Sequence, residues 1–419
     1  MKFSRYNVIG QTAAGDYFAA NTITGAIAKL TAEEYGLFAR GDAAAVSADD
    51  LPAYRQCGFA VADELDESAL LRRTYRVFQF NKKSSSLILC PTLDCNFRCP
   101  YCFEEHQPGC MPPSVQTQVL AFIEQLLCGG IEALDVGWFG GEPLLFPNIL
   151  CDMTARIAAL CRTHGVPVKF SVTTNGYLIT DELVEFFRQY SFEKIKITID
   201  GSRAQHNARR FLANGGGTYD RIVQNVKALA ARDVPVLVRV NIDHSNPDAY
   251  AQVLQEFRAV SGPVQIYPAI VTIAPTQSLQ QLQRCYSHSE YDRFYQANRQ
   301  QKHRKLPSYH QLFGHGVCSC VAEHESSFVI GPDGALYRCV NDVGNPCLAT
   351  GTVVLGETQV ESIAKYLGRD PCSEPECRDC PYLPLCYGGC VYEYKANGTH
   401  ACPPVKSLFH QLIEQEIAP

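Results

Sequence analysis

The sequence lacks the features that place a protein in a membrane or on a nucleic acid. No uninterrupted apolar run approaches the ~18–20 residues that a membrane-spanning helix needs. The N-terminus, MKFSRYNVIGQTAAGDYF, mixes polar and aromatic residues and has no apolar signal-peptide core. The formal charge is −6, without the excess of Lys and Arg that binds phosphate backbones. We therefore expect a cytoplasmic protein without a membrane or nucleic-acid partner.

Cysteine, by contrast, is abundant, with 20 in 419 residues. In a reduced cytosol this number indicates metal or redox chemistry rather than disulfides. Cysteines scattered singly along the chain are expected to be small buried side chains: Cys57, Cys110, Cys128, Cys151, Cys161 and Cys285. The others gather within 90–102 and 318–402, and such clustering indicates binding sites.

Residues from about 87 to 270 alternate short apolar runs with helical patterns. Runs such as VKFSVTTNG and VPVLVRVNID are typical of buried parallel strands. About six strand–helix repeats predict an α/β fold, a partial (β/α)6 TIM-type barrel over residues 81–305. A cysteine-rich loop follows the first strand, at the carboxyl end where such barrels carry their active sites.

Three cysteines of this loop, Cys95, Cys99 and Cys102, have the spacing C-x3-C-x2-C. Three thiolates can hold three irons of a [4Fe–4S] cluster and leave the fourth open, whereas structural zinc needs four ligands. Cys90 lies earlier, on the strand, and is expected to be a core thiol. The stretch CNFRCPYCF resembles the signature of the radical S-adenosylmethionine (radical SAM) superfamily, with Tyr101 at its aromatic position.

The ends of successive strands extend this resemblance. In the family, S-adenosylmethionine chelates the open iron, and its reductive cleavage gives a 5′-deoxyadenosyl radical that abstracts hydrogen from substrate. The resemblance implies that, besides Tyr101, the following residues bind this cofactor: Gly140, Gly141, Glu142 and Pro143 after the second strand, Thr173, Thr174 and Asn175 after the third, Thr198 and Asp200 at the fourth, and Arg239 and Asn241 on the fifth.

Cys377, Cys380, Cys386 and Cys390 follow the spacing C-x2-C-x5-C-x3-C, and Cys402 comes after them. With Cys320 and Cys339 upstream, they resemble the seven-cysteine SPASM extension. This resemblance implies that residues 306–419 form a Cys-rich, metal-stabilised domain with two auxiliary [4Fe–4S] clusters, which would bring the total to three. By resemblance, four cysteines hold one cluster: Cys377, Cys380, Cys386 and Cys402. The other cluster takes Cys339, Cys390 and one or both of Cys318 and Cys320, and the C-x-C spacing leaves open whether one iron stays free.

Two alternatives stay open for the C-terminal cysteines. A zinc ribbon over residues 377–402 would use four of them but would leave Cys318, Cys320 and Cys339 without a role. Cys347 and Cys372 are spare in this assignment, and each is either a ligand or inert.

Residues 1–80 read as a separate small α+β module. YNVIG, DYFAAN and GAIAKL are strand candidates, followed by the helix candidates TAEEYGLFARG and SADDLPAYRQCG. This order resembles the winged-helix-like peptide recognition element that precedes many peptide maturases and binds a leader peptide as an added strand. The alternative is a structural extension of the barrel.

Together, these resemblances imply a radical SAM enzyme that modifies a ribosomally made precursor peptide bound through its leader. We expect a Cys thioether cross-link of the sactipeptide or ranthipeptide type, with flavodoxin or ferredoxin as reductant. Sulfatase-maturing enzymes generally carry Asp after the cysteine equivalent to Cys339, where this chain has Val340. The alternatives are C–C or C–O cross-linking, sulfatase maturation and non-catalytic electron transfer.

No catalytic base follows from the sequence. Glu104, Asp342 and Tyr392 are candidates by location alone, and a structural or solvated role is the simpler expectation for each.

Overall fold

The computed structural model describes residues 1–271, 284–298, 320–398, 402–403 and 405–417. They form two compact units. The first contains the described residues of 1–80 and 368–419 together with Cys320, and the second contains those of 81–304 and 321–367. No helix within the described ranges is long and apolar enough to cross a membrane.

The first unit begins with five short strands and two helices. The strands are β1 (Lys2–Phe3), β2 (Asn7–Gln11), β3 (Tyr17–Asn21), β4 (Ile27–Leu30) and β5 (Ala60–Val61), and the helices are α1 (Ala32–Arg40) and α2 (Leu51–Gln56). Strands β2, β3 and β4 form an antiparallel sheet in that order, and β1 pairs with β5. Thr31 and Glu34 form a capping box at the start of α1. The three predicted strands and both predicted helices are confirmed.

A third helix, α3 (Glu67–Gln79), was not predicted. Its buried stripe consists of Glu67, Leu71, Tyr75 and Gln79, so both ends of the stripe are polar. Glu67 can be buried because its carboxylate accepts hydrogen bonds from the Ser4 hydroxyl and from the Arg5 backbone N–H, the latter at 3.0 Å. An apolar pattern therefore does not reveal this helix.

Six parallel strands form the main sheet of the second unit. They are β6 (Ser84–Leu89), β7 (Ala133–Trp138), β8 (Val168–Thr174), β9 (Lys194–Thr198), β10 (Val236–Ile242) and β11 (Val264–Ile270), each hydrogen-bonded to the next. The described helices of this part are α4 (Pro113–Cys128), α5 (Pro147–His164), α6 (Asp181–Gln189), α7 (Arg203–Arg209), α8 (Tyr219–Ala231), α9 (Ala249–Glu256) and α10 (His288–Ala297). The predicted parallel α/β fold is confirmed.

The two faces of this sheet differ in composition. On β10, Val236, Val238 and Val240 are buried, whereas Leu237 and Arg239 between them are only half-buried. Successive strand residues point to opposite faces, so the valines share one face and Arg239 lies on the other. The same alternation occurs on β9, and it gives the sheet one apolar face and one polar face.

A hairpin segment extends the sheet beyond β6. Strand β12 (Phe328–Ile330) pairs in parallel with β6, and β13 (Ala335–Tyr337), β14 (Gly351–Thr352) and β15 (Gly356–Glu357) follow in antiparallel order. The helix α11 (Val360–Leu367) comes next. Arg338 is fully buried, and its Nε donates to Glu357 Oε1 at 2.7 Å. This ion pair joins the end of β13 to β15, beside strands whose apolar side chains are buried.

The C-terminal segment returns to the first unit through α12 (Leu383–Cys386), α13 (Val391–Asn397) and α14 (Val405–Ile417). The sequence analysis identifies no helix here, but α14 is amphipathic, with Phe409 and Ile413 packed on Val8 and Phe18. The residues predicted as one C-terminal domain, 306–419, are thus divided between the units, and the predicted domain roles remain predictions.

Candidate active site

The cysteine loop leaves β6 at the carboxyl edge of the parallel sheet. Its first thiol, Cys90, is fully buried in an apolar cluster with Leu93, Val329 and Tyr337. Burial raises the pKa of this thiol well above its usual value. The prediction that Cys90 is a core thiol is confirmed.

Two glycines after β7 let this loop lie directly on the sheet edge. Gly141 N–H donates to Thr92 O at 3.2 Å, and the next residue's N–H donates to Asp94 O at 2.9 Å. A Cβ added at Gly140 would lie 2.3 Å from Thr92 O, and one added at Gly141 would lie 2.2 Å from Asp94 O. Gly140 also has a φ of +114°. The glycines therefore permit the backbone of the cysteine loop to lie in close contact with the chain just after β7.

Cys95, Cys99 and Cys102 are each partly exposed on this loop. Backbone N–H of Phe97 donates to Cys95 Sγ at 3.4 Å, and Asn175 Nδ2 lies 4.0 Å from the same sulfur. Burial raises the pKa of Cys95 to about 12 and that of Cys102 to about 11. Thiols in this environment are protonated at neutral pH unless a cation binds them, as a thiolate-bound metal does.

A segment after α7 clamps the other side of the loop. Arg98 N–H donates to Phe211 O at 3.0 Å, and Ala213 N–H donates to Asn96 O at 2.8 Å. Asn175 Nδ2 adds a bond of 2.7 Å to Asn96 Oδ1. The three thiols are therefore held by backbone bonds on two sides, which fixes the loop without any disulfide.

Tyr101 connects the loop to the ends of β9 and β10. Its hydroxyl donates to Asp200 and accepts from Arg210 Nη1 at 3.0 Å and from Asn241 Nδ2 at 3.3 Å. The Asn241 backbone N–H donates to Asp200 Oδ1 at 3.0 Å. Burial raises the pKa of Tyr101, so the phenol stays protonated. Three residues predicted from separate motifs, Tyr101, Asp200 and Asn241, thus share one hydrogen-bond network.

Glu142 has a different environment from the one expected of a cofactor ligand. Its side chain is fully buried, and its oxygens accept from Thr174 Oγ1 at 2.7 Å, Asn175 N at 2.6 Å and Leu144 N at 2.9 Å. Pro143 is also buried. The carboxylate therefore ties the end of β7 to the end of β8 and positions Asn175 beside the cysteine loop.

The remaining predicted cofactor residues lie on the polar face of the sheet. Thr173 and Thr198 are half-buried there. Arg239 shares this face with Asn241, two residues on, and its Nε donates to Asn241 Oδ1 at 2.7 Å. The structure therefore brings Arg239 into the network of Tyr101, whereas neither threonine is hydrogen-bonded to this network within the described part of the chain.

Sequence reasoning missed two arginines at the end of α7. Arg209 Nη1 donates to Asp243 Oδ2 at 2.7 Å, and its guanidinium lies 5.0 Å from the centre of the Tyr101 ring. Arg209 Nε and Nη2 and Arg210 Nε are buried without a hydrogen-bond partner among the described residues. The signal available in the sequence was an Arg pair placed shortly after the Asp200 strand end.

A cavity of about 280 Å³ adjoins Tyr101 and Arg209 and extends to Asp243 and Arg284. Arg209 Nε has an ion-pair contact of 3.6 Å with Asp200 Oδ2. Three thiols on one loop, buried guanidinium N–H groups without hydrogen bonds beside them and an adjoining cavity fit an anionic iron–sulfur cluster with a polar small-molecule partner.

The second thiol group lies in the first unit. A cavity of about 290 Å³ is lined by Tyr382, Leu383 and Lys406 and by four cysteines. These are the four predicted as one ligand set: Cys377, Cys380, Cys386 and Cys402. Burial raises the pKa of Cys377 to about 12 and that of Cys386 to about 11. In the described part of the chain, no three His, Cys, Asp or Glu side chains converge closely enough for a single metal ion. A four-iron cluster accepts thiols set further apart.

The other predicted ligand set remains a prediction. Cys320 is exposed and Cys390 is exposed, both in the first unit, while Cys339 is buried in the second unit, where Asn341 Nδ2 lies 3.6 Å from its sulfur. Cys318 lies outside the described residues.

The spare cysteines have separate surroundings. Cys347 is exposed, and Cys372 is buried in an apolar cluster with Tyr6, Leu71 and Tyr75. The second of these thiols has the environment of an inert core residue.

The three candidate bases also differ. Asp342 is buried and accepts a hydrogen bond from the Tyr366 hydroxyl, which is a structural role, and Tyr392 is half-buried on α13. Burial raises the pKa of Glu104 to about 8, and its buried Oε1 has no hydrogen-bond partner among the described residues.

Comparison with known proteins agrees with this geometry. Residues 89–257 match the Radical SAM superfamily. A serine-type anaerobic sulfatase-maturating enzyme of Klebsiella aerogenes is 24% identical over 73% of this chain and 79% of its own. Native anSMEcpe with bound AdoMet and Cp18Cys peptide is 18% identical, with a TM-score of 0.61 over 79% of this chain and 99% of its own.

A further solved structure covers more of the chain. Streptococcus suis SuiB bound to precursor peptide SuiA is 14% identical, with a TM-score of 0.51 over 95% of this chain and 97% of its own. The cysteine loop and the strand-end network of Tyr101, Asp200 and Asn241 both lie within residues 89–257, the part of the chain that matches the Radical SAM superfamily.

Proposed function

We propose that this protein is a radical SAM enzyme that modifies a ribosomally made precursor peptide and forms a Cys thioether cross-link in it. The observation that carries the enzymatic part is the cysteine loop, which is fixed at the sheet edge beside the network of Tyr101, Asp200 and Asn241. An electron-transfer protein would need the thiols but not this network at the strand ends.

In this proposal, Cys95, Cys99 and Cys102 hold the cluster. When bound, the cluster and S-adenosylmethionine supply a 5′-deoxyadenosyl radical that abstracts hydrogen from the substrate. Tyr101 and its partners orient the cofactor, and Arg239 offers a cation to its carboxylate. Glu142 acts indirectly, because its buried carboxylate positions Asn175.

Two auxiliary [4Fe–4S] clusters complete the proposed cofactor set of three. The cavity lined by Cys377, Cys380, Cys386 and Cys402 supports one of them. The second auxiliary cluster, at Cys339, Cys390 and one or both of Cys318 and Cys320, rests on the sequence resemblance alone. Flavodoxin or ferredoxin is the proposed reductant.

The first 80 residues favour a leader-bearing peptide as substrate. Strands β2 and β4 are the edges of a small sheet, and an edge strand can accept an extended peptide through backbone hydrogen bonds. The SuiB complex, which contains a precursor peptide, covers 95% of this chain, whereas anSMEcpe covers 79%. The residue after Cys339 is Val340 rather than the Asp of sulfatase maturases.

Sulfatase maturation is the second candidate and has about equal support. Its specific observation is the similarity to the Klebsiella aerogenes enzyme over 73% of this chain. In that case the substrate would be a Ser or Cys residue of a sulfatase.

The test uses the anaerobically reconstituted holoenzyme with S-adenosylmethionine and dithionite. We expect 5′-deoxyadenosine, and its absence would overturn the enzymatic proposal. Two substrates then separate the candidates: any short Cys-containing peptide that a neighbouring open reading frame encodes, and a sulfatase-derived peptide. Loss of two hydrogens together with a free thiol indicates a thioether, whereas an aldehyde that reacts with a hydrazide indicates sulfatase maturation.

A further inference from the structure

The polar face of the parallel sheet carries a group of side chains that the cysteine loop does not use. We call Thr173, Lys196, Thr198, Arg239 and Tyr267 the inner face. Thr173 pairs in register with Lys196, Thr198 with Arg239, and Arg239 with Tyr267. Asn241 lies on the same face, two residues after Arg239, and contacts Tyr101. The inner face therefore leads from the candidate active site into the sheet.

Two cations of the inner face have no carboxylate partner. Lys196 has no hydrogen bond or ion pair within the described part of the chain, and Arg239 is bonded to the uncharged Asn241. The stretches outside the described residues contain no Asp or Glu, so they cannot supply a side-chain carboxylate. Burial, with Arg239 and Lys194 nearby, lowers the pKa of Lys196.

Nearer the amino ends of the strands, acidic and basic side chains lie close together and balance one another in charge. Asp135 pairs in register with Lys169, and Lys169 Nζ lies 2.9 Å from Glu193 Oε1. Lys194 is close to this group as well. Two acids and two bases thus lie together there, whereas Lys196, two residues further along β9, has Thr173 and Leu237 as its register neighbours and only cations as nearby charges.

Several positions on this face of the sheet carry small side chains. Packed barrels fill their interior with Val, Ile and Leu. Here Gly137, Ser171, Thr173 and Thr198 are small, whereas Leu237 pairs in register with Lys196. Because a desolvated cation without a partner is unfavourable, Lys196 and Arg239 at this face indicate an anionic ligand.

We propose that Lys196 binds a carboxylate of the substrate peptide, namely an Asp or Glu side chain near the reacting residue. This inference rests on the proposed function and adds the substrate class to it. In the proposed function, Arg239 offers its cation to the carboxylate of S-adenosylmethionine. Lys196 lies two residues before Thr198, the register partner of Arg239, and so about 7 Å deeper along the strand. That position suits a second carboxylate, beyond the cofactor.

The experiment measures peptide selection by the reconstituted holoenzyme with S-adenosylmethionine. The probe is a pool of end-capped synthetic peptides with a central Cys and flanking positions randomised among Asp, Glu, Asn, Gln, Lys, Ala and Ser. Retained peptides are quantified by mass spectrometry. We compare wild type with Lys196→Gln and Lys196→Arg, and with Lys227→Gln, which removes an exposed charge from α8. Equilibrium dialysis gives the S-adenosylmethionine affinity of each protein.

We expect the wild type, Lys196→Arg and Lys227→Gln to enrich Asp and Glu about tenfold over Asn and Gln. Lys196→Gln should lose this preference while its affinity for S-adenosylmethionine changes less than twofold. Equal retention of acidic and neutral peptides by the wild type would overturn the inference. A tenfold loss of S-adenosylmethionine affinity in Lys196→Gln with unchanged peptide preference would assign Lys196 to the cofactor carboxylate instead. Failure of the wild type to form 5′-deoxyadenosine would reject the proposed function itself.

Discussion

Replacing Gly141 by Ala tests whether the glycines after β7 serve to seat the cysteine loop. The added Cβ would lie 2.2 Å from Asp94 O, 2.6 Å from Asp94 C and 2.7 Å from Leu93 O. All three atoms are backbone, so no side-chain rotation relieves the contact. The loop must move away, and it then loses the bonds from Gly141 N–H to Thr92 O and from the following N–H to Asp94 O.

The expected cost follows from these contacts. Two backbone hydrogen bonds contribute about 2 kcal/mol together, and overpacking adds about 1–3 kcal/mol. A rise of about 3 kcal/mol in the free energy of the seated loop position reduces its population by about two orders of magnitude. Because Asp94 directly precedes Cys95, we expect Gly141→Ala to lose the iron bound by this loop and to form no 5′-deoxyadenosine. Urea denaturation of the apoprotein measures the loss of stability. Iron content and the yield of 5′-deoxyadenosine measure the loss of the cluster.

The matched control is Gly137→Ala, four residues earlier and within β7. A Cβ at Gly137 would lie 3.3 Å from the Ser171 hydroxyl, which can rotate, and at an ordinary contact distance of 3.9 Å from an Ile88 side-chain atom and from Leu87 O. This variant should keep its iron content. If Gly141→Ala matched Gly137→Ala in both stability and iron content, the steric argument would be refuted.

Three further variants test other parts of the structure. Burial, with Arg210 and Arg209 nearby, lowers the pKa of His206 from 6.5 to about 3, so His206 stays neutral in the folded protein. Its contribution to the free energy of unfolding is therefore complete above pH 6.5 and falls by about 1.4 kcal/mol per pH unit below it. His206→Gln should make the urea midpoint depend less on pH between pH 7 and 5. An unchanged slope would contradict this. Cys380→Ser should lower iron content relative to the control Cys128→Ser, while the cluster of the cysteine loop remains visible by electron paramagnetic resonance. Cys128 suits this control because it is exposed, contrary to the expectation that it is a small buried side chain. Tyr75→Ala removes a buried ring stacked 5.1 Å from Tyr387, so it should cost about 3–5 kcal/mol in unfolding and release the same C-terminal iron; full iron retention would show that α3 does not support this segment.

The sequence was sufficient for the elements whose patterns are local. The six parallel strands and the strands β2, β3 and β4 follow from short apolar runs bounded by turns, and Cys90 was separated from the ligand cysteines by its place on a strand. The helices α3 and α14 were missed for opposite reasons. Helix α3 has the polar residues Glu67 and Gln79 in its buried stripe, so its apolar pattern is weak. Helix α14 follows a stretch whose composition is dominated by Cys, Gly and Pro.

The candidate site was predictable as a set of motifs but not as a network. Spacing and strand-end position identify Cys95, Tyr101 and Asp200, because each motif is contiguous in the chain. Nothing in the sequence states that Arg210, more than a hundred residues away, donates to the Tyr101 hydroxyl. The buried role of Glu142 is equally invisible, since it depends on donors from the next strand.

What the sequence by itself determined is therefore the chemistry available: three thiols on one loop, polar strand ends, and a second thiol group. What only the tertiary structure decided is which of these groups meet and which charges remain unpaired. Parallel strands bring residues from distant motifs to one edge, and burial removes the water that would otherwise screen them. For this reason Lys196, an ordinary strand residue in the sequence, becomes a specific candidate for ligand binding only when its neighbours on the inner face are known.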